Sequence, residues 1–337
     1  MPIARIQTDT TRWQHALRTA ICDPADLLSA LQLDPALLDP ALRAAARFAL
    51  KVPRGYVARM RKGDPDDPLL RQVLPLRQEL ELGDAVAFVS DPVGDLASIG
   101  APGVLQKYRG RALLIATGVC AIHCRYCFRR EFPYADNLAA AADWHDALGQ
   151  LRADESVREV ILSGGDPLAL ADHKLQSLTD ALAQIPHIAR LRIHSRLPVV
   201  LPERVDAGLL AWLATVRQRV ALVIHANHAN ELDSAVADAL ARLADARISL
   251  LNQSVLLRGV NDSVTALADL SERLFELRVL PYYLHLLDRV TGAEHFDVDA
   301  ATAGELMRAV AARLPGYLVP RLVREEAGMA HKTPIAW

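Results

Sequence analysis

The second part of the chain alternates between short apolar runs and helical patterns. Runs rich in β-branched and aliphatic residues recur from Arg111 onward: RALLIATG, REVILSGG, RLRIHSR, RVALVIHAN, ISLLNQSVLL and LPYYLHLLD. Between them lie stretches with Leu and Ala three or four residues apart, such as HKLQSLTDALAQI and DSAVADALARLAD. Apolar strands that alternate with amphipathic helices predict a parallel sheet assembled from βα units.

Polar residues stand at or just after the end of each predicted strand. Because the carboxyl ends of the strands in a βα barrel form one mouth, these residues would line a common site. No G-x-G-x-x-G turn follows the first strand, which disfavours an open dinucleotide-binding sheet. We therefore predict an α/β fold, a partial (β/α)6 TIM-like barrel with a lateral opening for a bulky substrate. The strand-end positions are 117–118, 163–166, 194–196, 225–227, 252–253 and 285–288.

The first hundred residues have a different pattern, with helices and connecting segments. Helical spacing occurs in WQHALRTAI, DPADLLSALQL and DPALRAAARFALKV. Two of these begin with an Asp-Pro start signal. The Pro- and Asp-rich segments KGDPDDPLLRQVLP and SDPVGDLASIGAPG predict extended linkers that cross the surface. The chain thus divides into an N-terminal helical extension with linkers (1–100), a βα core (101–320) and a C-terminal tail (321–337).

Composition narrows the class of protein. The 337 residues are 51% hydrophobic, enough for a sizeable core, and 38 basic against 40 acidic residues leave a net charge of −2. This balance predicts neither a nucleic-acid nor an anionic-membrane partner. The start, MPIARIQTDTTRW, has no apolar signal segment, so we expect a cytoplasmic protein. Four cysteines are too few for a disulfide scaffold, and the isolated Cys22 is predicted to be a small core residue.

The other three cysteines lie together, in the stretch ATGVCAIHCRYCFRREF after the first predicted strand. Cys120, Cys124 and Cys127 have the spacing C-x3-C-x2-C. Structural zinc would need a fourth ligand, which His194 or His225 could supply. A disulfide between Cys124 and Cys127 would leave Cys120 unexplained. Three thiolates on one short loop would instead hold three irons of a [4Fe–4S] cluster and leave the fourth open to a small molecule, and the spacing favours this interpretation.

The C-x3-C-x2-C spacing within a series of βα units resembles the radical S-adenosylmethionine (SAM) superfamily. Further segments resemble lysine 2,3-aminomutases, over roughly residues 50–335: CRYCFRREF, LSGGDPL, RIHSRLPVVLPERV, LLNQSVLLRGVND, PYYLHLLD and the terminal HKTP. The resemblance implies the radical SAM type of barrel and an isomerase that transfers an amino group within its substrate. It also implies three cofactors: a [4Fe–4S] cluster held by the three cysteines, SAM bound to the open iron, and pyridoxal 5′-phosphate (PLP).

The resemblance assigns residues to the SAM site. The segment Ser163, Gly164, Gly165, Asp166 matches the family's glycine-rich turn near the SAM amino group, where the lack of a Cβ permits close approach. Gln253 matches a polar contact to SAM. Without the resemblance, the first would be an ordinary strand-to-helix turn and the second an inward-facing glutamine with satisfied hydrogen bonds.

The PLP site is implied near the end of the chain. Lys332, in AHKTPIAW, matches the lysine that forms the Schiff base with PLP, although a terminal lysine is usually solvated. Its segment would have to fold back over the barrel mouth. Tyr108 and Arg111 match positions near the cofactor, where an arginine suits a phosphate, and Lys107 stands where relatives often carry Arg.

The substrate clamp is implied by charged residues. Arg129 matches the arginine that binds the substrate carboxylate, whereas Arg130 is predicted to be a surface residue. Asp288 matches the acid that receives the distal ammonium of lysine. Its usual aspartate partner is replaced by Glu325, and the glycine-rich stretch expected after it is AGMAH. Together, Asp288 and Glu325 favour a cationic distal group over an anionic one.

The predicted function is the conversion of (S)-α-lysine to (R)-β-lysine. The chain's length and altered pocket resemble the short bacterial aminomutases whose product a separate ligase attaches to translation elongation factor P. The resemblance also implies an electron donor of the flavodoxin or ferredoxin type. The alternatives are an aminomutase of another amino acid such as glutamate, a catabolic lysine aminomutase and, in a different class, a non-catalytic binding module stabilised by zinc.

Overall fold

A single continuous sheet organises the molecule. The computed structural model describes residues 12–81, 88–139 and 144–337. The strands run in the order of the chain from one edge of the sheet to the other. They are β1 (Val104–Leu105), β2 (Arg111–Thr117), β3 (Glu159–Gly164), β4 (Arg190–Ser195), β5 (Arg219–Ile224), β6 (Ser249–Val255), β7 (Leu280–His285), β8 (Arg321–Arg324) and β9 (Thr333–Pro334).

The strand order confirms the predicted barrel type. Strands β2 to β8 pair in parallel, each with the next in the chain, whereas β1 and β9 add antiparallel edges. An order without reversal makes the sheet curve in one direction, unlike a doubly wound sheet with its switch point. The six predicted strands are β2 to β7. A seventh parallel strand, β8, and the edge strand β9 come from the segment expected to be a tail.

Helices connect the strands and cover the outer face. The C-terminal part contains α6 (His145–Ala153), α7 (Asp172–Ala183), α8 (Leu197–Val200), α9 (Ala207–Thr215), α10 (Ser234–Asp245), α11 (Val264–Glu276) and α12 (Ala300–Arg313). Asp206, Asp233, Ser263 and Asp299 each cap a helix by accepting a hydrogen bond from a first-turn N–H. No helix in the described ranges is long and apolar enough to cross a bilayer.

The N-terminal helices are packed on the barrel. They are α1 (Arg12–Arg18), α2 (Pro24–Leu31), α3 (Leu38–Arg47), α4 (Arg54–Val57) and α5 (Pro68–Arg71). Trp13, Leu27 and Tyr56 belong to the same hydrophobic cluster as Leu114 of β2 and Leu162 of β3. One core therefore extends from the N-terminal helices into the sheet.

Two expectations for the N-terminal part are wrong. Segment 62–75 is not a surface linker, because Leu69 and Leu70 are fully buried in α5 and Asp67 caps this helix from a buried position. The apolar side chains of this segment outweigh its Pro and Asp content. Cys22 is exposed rather than in the core, because the neighbouring Ile21 points inward and pairs with Val52.

Candidate active site

The carboxyl ends of the strands surround a cavity of about 720 Å³. This volume lies within the usual range for sites that bind small molecules and cofactors. The cavity brings together all the residues that the sequence predicts for the site: Lys107, Tyr108, Arg111, Cys120, Cys124, Cys127, Arg129, Ser163, Gly164, Gly165, Asp166, Gln253, Asp288, Glu325 and Lys332.

The three cysteines lie on a loop, residues 118–131, which we call the cysteine loop. An irregularity in the β2–β3 register, between Ile115 and Thr117, precedes it and re-aims the chain. The N-terminal segment holds the loop through its backbone: the N–H of His123 donates to the carbonyl of Lys51, and the N–H of Arg125 to that of Gln72, both at 2.9 Å. The loop is therefore anchored outside the barrel as well as at its mouth.

The thiols of this loop fit a metal cluster. All three are free and half-buried. Burial, followed by the neighbouring cysteines, raises the pKa of Cys127 to about 11 and that of Cys120 well above its ordinary value. Since thiolates are the ligand form, bound metal would supply the charge that deprotonates them. Within the described residues, no three Cys, His, Asp or Glu side chains converge as ligands of one ion.

Two glycines allow the end of β3 to approach the cysteine loop. Gly164 has φ +112°, and a Cβ there would lie 2.6 Å from the carbonyl oxygen of Thr117. A Cβ on Gly165 would lie 2.5 Å from the carbonyl oxygen of Val119. The N–H of Gly165 donates to the oxygen of Thr117 at 2.6 Å. The glycine-rich turn is thus required by contact with the cysteine loop itself.

Asp166 braces two strand ends. One carboxylate oxygen accepts from Ser195 Oγ at 2.7 Å and from the N–H of Leu168, and the other accepts from the N–H groups of Arg196 and Leu197 at 2.7 and 3.0 Å. Burial raises the pKa of this carboxyl to about 6. Its hydrogen bonds are all made within the protein, which explains how the ends of β3 and β4 are joined.

Arg129 is held rigidly at the cavity wall. Its Nε donates to Asp95 at 2.7 Å, and its Nη1 donates to Ser163 Oγ at 3.1 Å. Lys107 binds the other oxygen of Asp95 at 2.6 Å. Burial alone would raise the pKa of Asp95, but Arg129 and Lys107 lower it below the ordinary value. Asp95 is therefore an ionised carboxylate shared by two predicted site cations.

Asp95 shows where the linker interpretation of segment 90–103 is wrong. Its side chain is buried at the cavity rather than on a surface. A single Asp in an irregular segment carries no periodic or motif signal, so only the fold reveals it.

Lys332 reaches the cavity through the pairing of β8 and β9. Arg324 pairs with Thr333 in this antiparallel ladder, which brings Glu325 and Lys332 together, and the Nζ of Lys332 forms an ion pair with Glu325 Oε2. Tyr108 Oη donates to Glu325 Oε1 at 2.5 Å. Burial alone would raise the pKa of Glu325, but Lys332, Tyr108 and Lys107 lower it.

Asp288, just after β7, has the opposite environment. Its Oδ1 is buried and has no hydrogen-bond partner in the part of the chain that the structure describes. Burial raises the pKa of Asp288 to about 7, while Lys332 lowers it and Glu325 raises it. A buried carboxylate oxygen without a partner is costly unless a ligand satisfies it.

Other cavity residues keep polar groups free. Gln253 lines the cavity and makes no side-chain hydrogen bond within the described ranges, unlike a structurally satisfied glutamine. The guanidinium of Arg111 stacks over the ring of Tyr108, 5.0 Å from its centroid. The Nε2 atoms of His194 and His285 are buried and unpartnered in those same ranges. Burial lowers the pKa of both imidazoles well below the ordinary value, so they are neutral hydrogen-bonding groups.

Arg130 is not the surface residue that the sequence predicts. Its side chain is 5% exposed, and its Nη2 donates to Glu79 at 2.9 Å. Glu79 also binds Arg125 through both carboxylate oxygens, at 2.6 and 2.8 Å. Neither the Arg-Arg pair nor the isolated Glu gives a sequence signal of this contact, because the partners are about fifty residues apart along the chain.

A cysteine-bearing loop at the mouth of a parallel βα sheet defines the class of a radical SAM enzyme, and the sequence model of the radical SAM superfamily matches residues 114–270. The L-lysine 2,3-aminomutase of Escherichia coli (strain K12) is 48% identical, over 96% of this chain and 94% of the relative. That of Haemophilus influenzae is 43% identical, over 99% of this chain and 98% of the relative. That of Clostridium subterminale is 34% identical, over 97% of this chain and 78% of the relative. The chain belongs to the L-lysine 2,3-aminomutase family.

Membership decides between an enzyme and the binding module that the sequence left as an alternative. The protein is an isomerase, not a non-catalytic zinc module. The family implies the three predicted cofactors, a [4Fe–4S] cluster, SAM and PLP. The free thiols fit the cluster by their chemistry, and Lys332, with Arg111 and Tyr108 in the same cavity, fits an aldehyde cofactor that carries a phosphate.

Proposed function

We propose that this protein is a PLP-dependent L-lysine 2,3-aminomutase that converts (S)-α-lysine to (R)-β-lysine. The observation that carries the proposal is a carboxylate oxygen of Asp288 that has no partner among residues 12–81, 88–139 and 144–337, in a cavity that also contains Lys332 and Arg129. An amine for the cofactor, a guanidinium for a carboxylate and a free acid for a distal ammonium are the three polar requirements of lysine bound through PLP.

The charge of the pocket supports lysine over glutamate. A distal ammonium would satisfy Asp288 and favour its ionised form. A distal carboxylate would add a third acidic group beside Asp288 and Glu325, and like charges in a buried site repel strongly. Glu325 is already paired with Lys332 and Tyr108. Asp288 is therefore the acceptor of the ammonium, and the carboxylate of Glu325 adds a negative charge near Asp288.

The cofactors would be held by the residues already described. The cysteine loop would hold the cluster. SAM would be surrounded by Ser163, Gly164, Gly165 and Gln253, and Asp166 braces the segment that carries the first three. PLP would be held by Lys332, Lys107, Tyr108 and Arg111. When bound, these groups supply a carbon-centred radical and a conjugated ring that stabilises radicals on the substrate.

The protein's own contribution is positioning. Arg129 is fixed by Asp95 and Ser163, so its remaining N–H groups can bind a carboxylate in one orientation. Holding both ends of the substrate aligns C2 and C3 for the shift of nitrogen between them.

The biological context is the finer part of the proposal. We infer that (R)-β-lysine is made for attachment to translation elongation factor P by a separate ligase, with a flavodoxin- or ferredoxin-type protein as electron donor in the cytoplasm. This rests on the resemblance to the short bacterial aminomutases and on Glu325 in place of the usual aspartate.

The test uses anaerobically reconstituted protein with SAM, PLP and dithionite. Wild type should convert lysine to (R)-β-lysine, identified by chiral chromatography, and should leave glutamate unchanged. Lys332→Ala should lose turnover by at least about 10³-fold, since the amine that carries the cofactor is gone. Its SAM cleavage should remain measurable. Lys174→Ala, at an exposed position of α7, is the matched control and should keep wild-type activity.

Each contrary result has a defined meaning. Full activity of Lys332→Ala would remove PLP catalysis at this residue. Conversion of glutamate in preference to lysine would show an aminomutase with another substrate. An (S)-configured β-lysine product, or (R)-β-lysine that the ligase of elongation factor P rejects, would contradict the link to that factor.

A further inference from the structure

Arg196, directly after β4, contacts a cysteine of the cysteine loop. Its Nη1 is in hydrogen-bonding contact with the Sγ of Cys124, although the two residues are 72 positions apart in the chain. The guanidinium is buried, with 7% of the side chain exposed. No other hydrogen bond to a thiol of the loop comes from a charged side chain in the described residues. The two remaining cysteines lack such a contact there, so Cys124 is distinguished from them.

A buried network prevents Arg196 from moving away. Its Nη2 donates to Gln72 Oε1 at 2.6 Å and to Glu231 Oε2 at 2.9 Å, and its backbone N–H donates to Asp166. Glu231 and Gln72 are both fully buried. Glu231 is itself fixed, because its Oε1 accepts from the N–H of Asn227 at 2.8 Å.

The charge of this network is also defined. Burial alone would raise the pKa of Glu231, but Arg196 and surrounding hydrogen bonds lower it. The carboxylate is therefore ionised, and it binds Nη2 of Arg196, whereas Nη1 contacts Cys124. The Arg196–Glu231 pair is neutral as a whole, yet its positive end faces the sulfur.

We propose that Arg196 is a positioning residue for the iron–sulfur cluster: it fixes the orientation of Cys124 and, through a charge-assisted N–H···S hydrogen bond, raises the reduction potential of the cluster. Hydrogen bonds to ligand sulfurs and nearby charge are among the factors that set such potentials. In the step concerned, an external reductant gives one electron to the cluster, and no bond forms or breaks. Positive charge beside the sulfur stabilises the reduced cluster because it carries one more negative charge.

The network also gives a role to the N-terminal segment. Gln72, next to α5, binds Arg196 through its side chain and the cysteine loop through its carbonyl, which accepts from Arg125. The segment that packs outside the barrel therefore contacts both Arg196 and the cysteine loop. This inference depends on the radical SAM class and is independent of the substrate proposed above.

The test is a redox titration of the reconstituted cluster, followed by electron paramagnetic resonance in the absence of SAM and substrate. Arg196→Met should lower the potential, so that the ratio of reduced to oxidised cluster at a fixed applied potential falls about tenfold, or ~59 mV for one electron. Arg196→Lys keeps the charge without the planar fork and should fall between Met and wild type. Glu231→Gln keeps the shape but leaves Arg196 unbalanced, so its potential should rise.

A buried arginine without a cysteine contact is the control. Arg204→Lys alters a residue that binds the carbonyl of Leu168 and the carboxylate of Asp172, and it should leave the potential at the wild-type value. Iron and sulfide analysis shows which variants are loaded. If Arg196→Met does not bind the cluster, the proposal is tested by the other two variants, whose reduction potentials should shift in opposite directions: down in Arg196→Lys and up in Glu231→Gln. Wild-type potentials in both loaded variants, or shifts of the same sign, would overturn the proposal.

Discussion

Two carboxyl groups in one cavity show how strongly single residues depend on their partners. Glu325 has Lys332 and Tyr108 as partners and remains ionised, because Lys332 and Tyr108 outweigh the effect of burial on its pKa. Asp288 has a buried oxygen without a partner in the described ranges, and burial raises its pKa to about 7. The difference in environment assigns them different tasks, which residue type alone does not.

The raised pKa of Asp288 predicts a pH-dependent cost to stability. The unfolded chain releases this proton near pH 4, whereas the folded protein retains it until about pH 7. Between these values the folded state binds more protons, so Asp288 makes the free protein less stable as the pH rises, with the loss complete above about pH 7. Asp288→Asn should therefore raise the melting temperature of the cofactor-free protein more at pH 8 than at pH 5.

The control for Asp288→Asn is Asp180→Asn, at an exposed position of α7, which removes one negative charge without changing the cavity. Its effect on the melting temperature should be small at both pH values. An Asp288→Asn variant whose shift is the same at pH 5 and pH 8 would show that the carboxyl is ionised throughout this range.

At the level of elements, three sets of contacts hold the cysteine loop. The N-terminal segment binds its backbone, the end of β3 packs against its start, and Glu79 pairs with Arg125 and Arg130 inside it. Burial raises the pKa of the Cys120 and Cys127 thiols, so the loop needs this support to keep its shape before metal binds.

Gly165→Ala tests the contact between β3 and the cysteine loop. The added Cβ would lie within 3 Å of backbone atoms of Gly118 and Val119, which cannot move as a flexible side chain can. We expect a loss of about 1–3 kcal/mol in the free energy of unfolding, typical of overpacking. We also expect less iron bound per chain after reconstitution.

Gly149→Ala is the matched control for this substitution. Gly149 lies in α6, and no neighbouring atom lies within 4 Å of the added Cβ. Alanine in a helix interior should raise stability by about 0.5–1 kcal/mol. Wild-type iron content in Gly165→Ala would mean that the loop tolerates displacement at this point.

At the scale of the whole molecule, the N-terminal helices and the barrel share one hydrophobic core. Trp13 and Tyr56 pack in the same cluster as residues of β2 to β6. We therefore expect the cofactor-free protein to unfold in one cooperative transition, with equal calorimetric and van't Hoff enthalpies. Two separate transitions in differential scanning calorimetry would show that the N-terminal helices are an independent unit.

The sequence by itself determined the type of fold and the approximate place of the site. Apolar runs and helical periods are local patterns in the sequence. A buried strand or helix needs its own pattern wherever it lies in the fold, so these patterns predict strands β2 to β7. The strand-end residues meet because parallel strands end at one edge. The cysteine spacing is likewise local, since one loop carries all three thiols.

Only the tertiary structure decided which distant charges meet. Three contacts join residues that are far apart in the chain and that no periodicity relates. These pairs are Arg196 with Cys124, Asp95 with Arg129, and Glu79 with Arg130. Strands β8 and β9, which bring Lys332 into the cavity, are too short to produce a pattern of their own. These contacts depend on how the packed elements are oriented, because buried charges find partners wherever the fold brings them within reach.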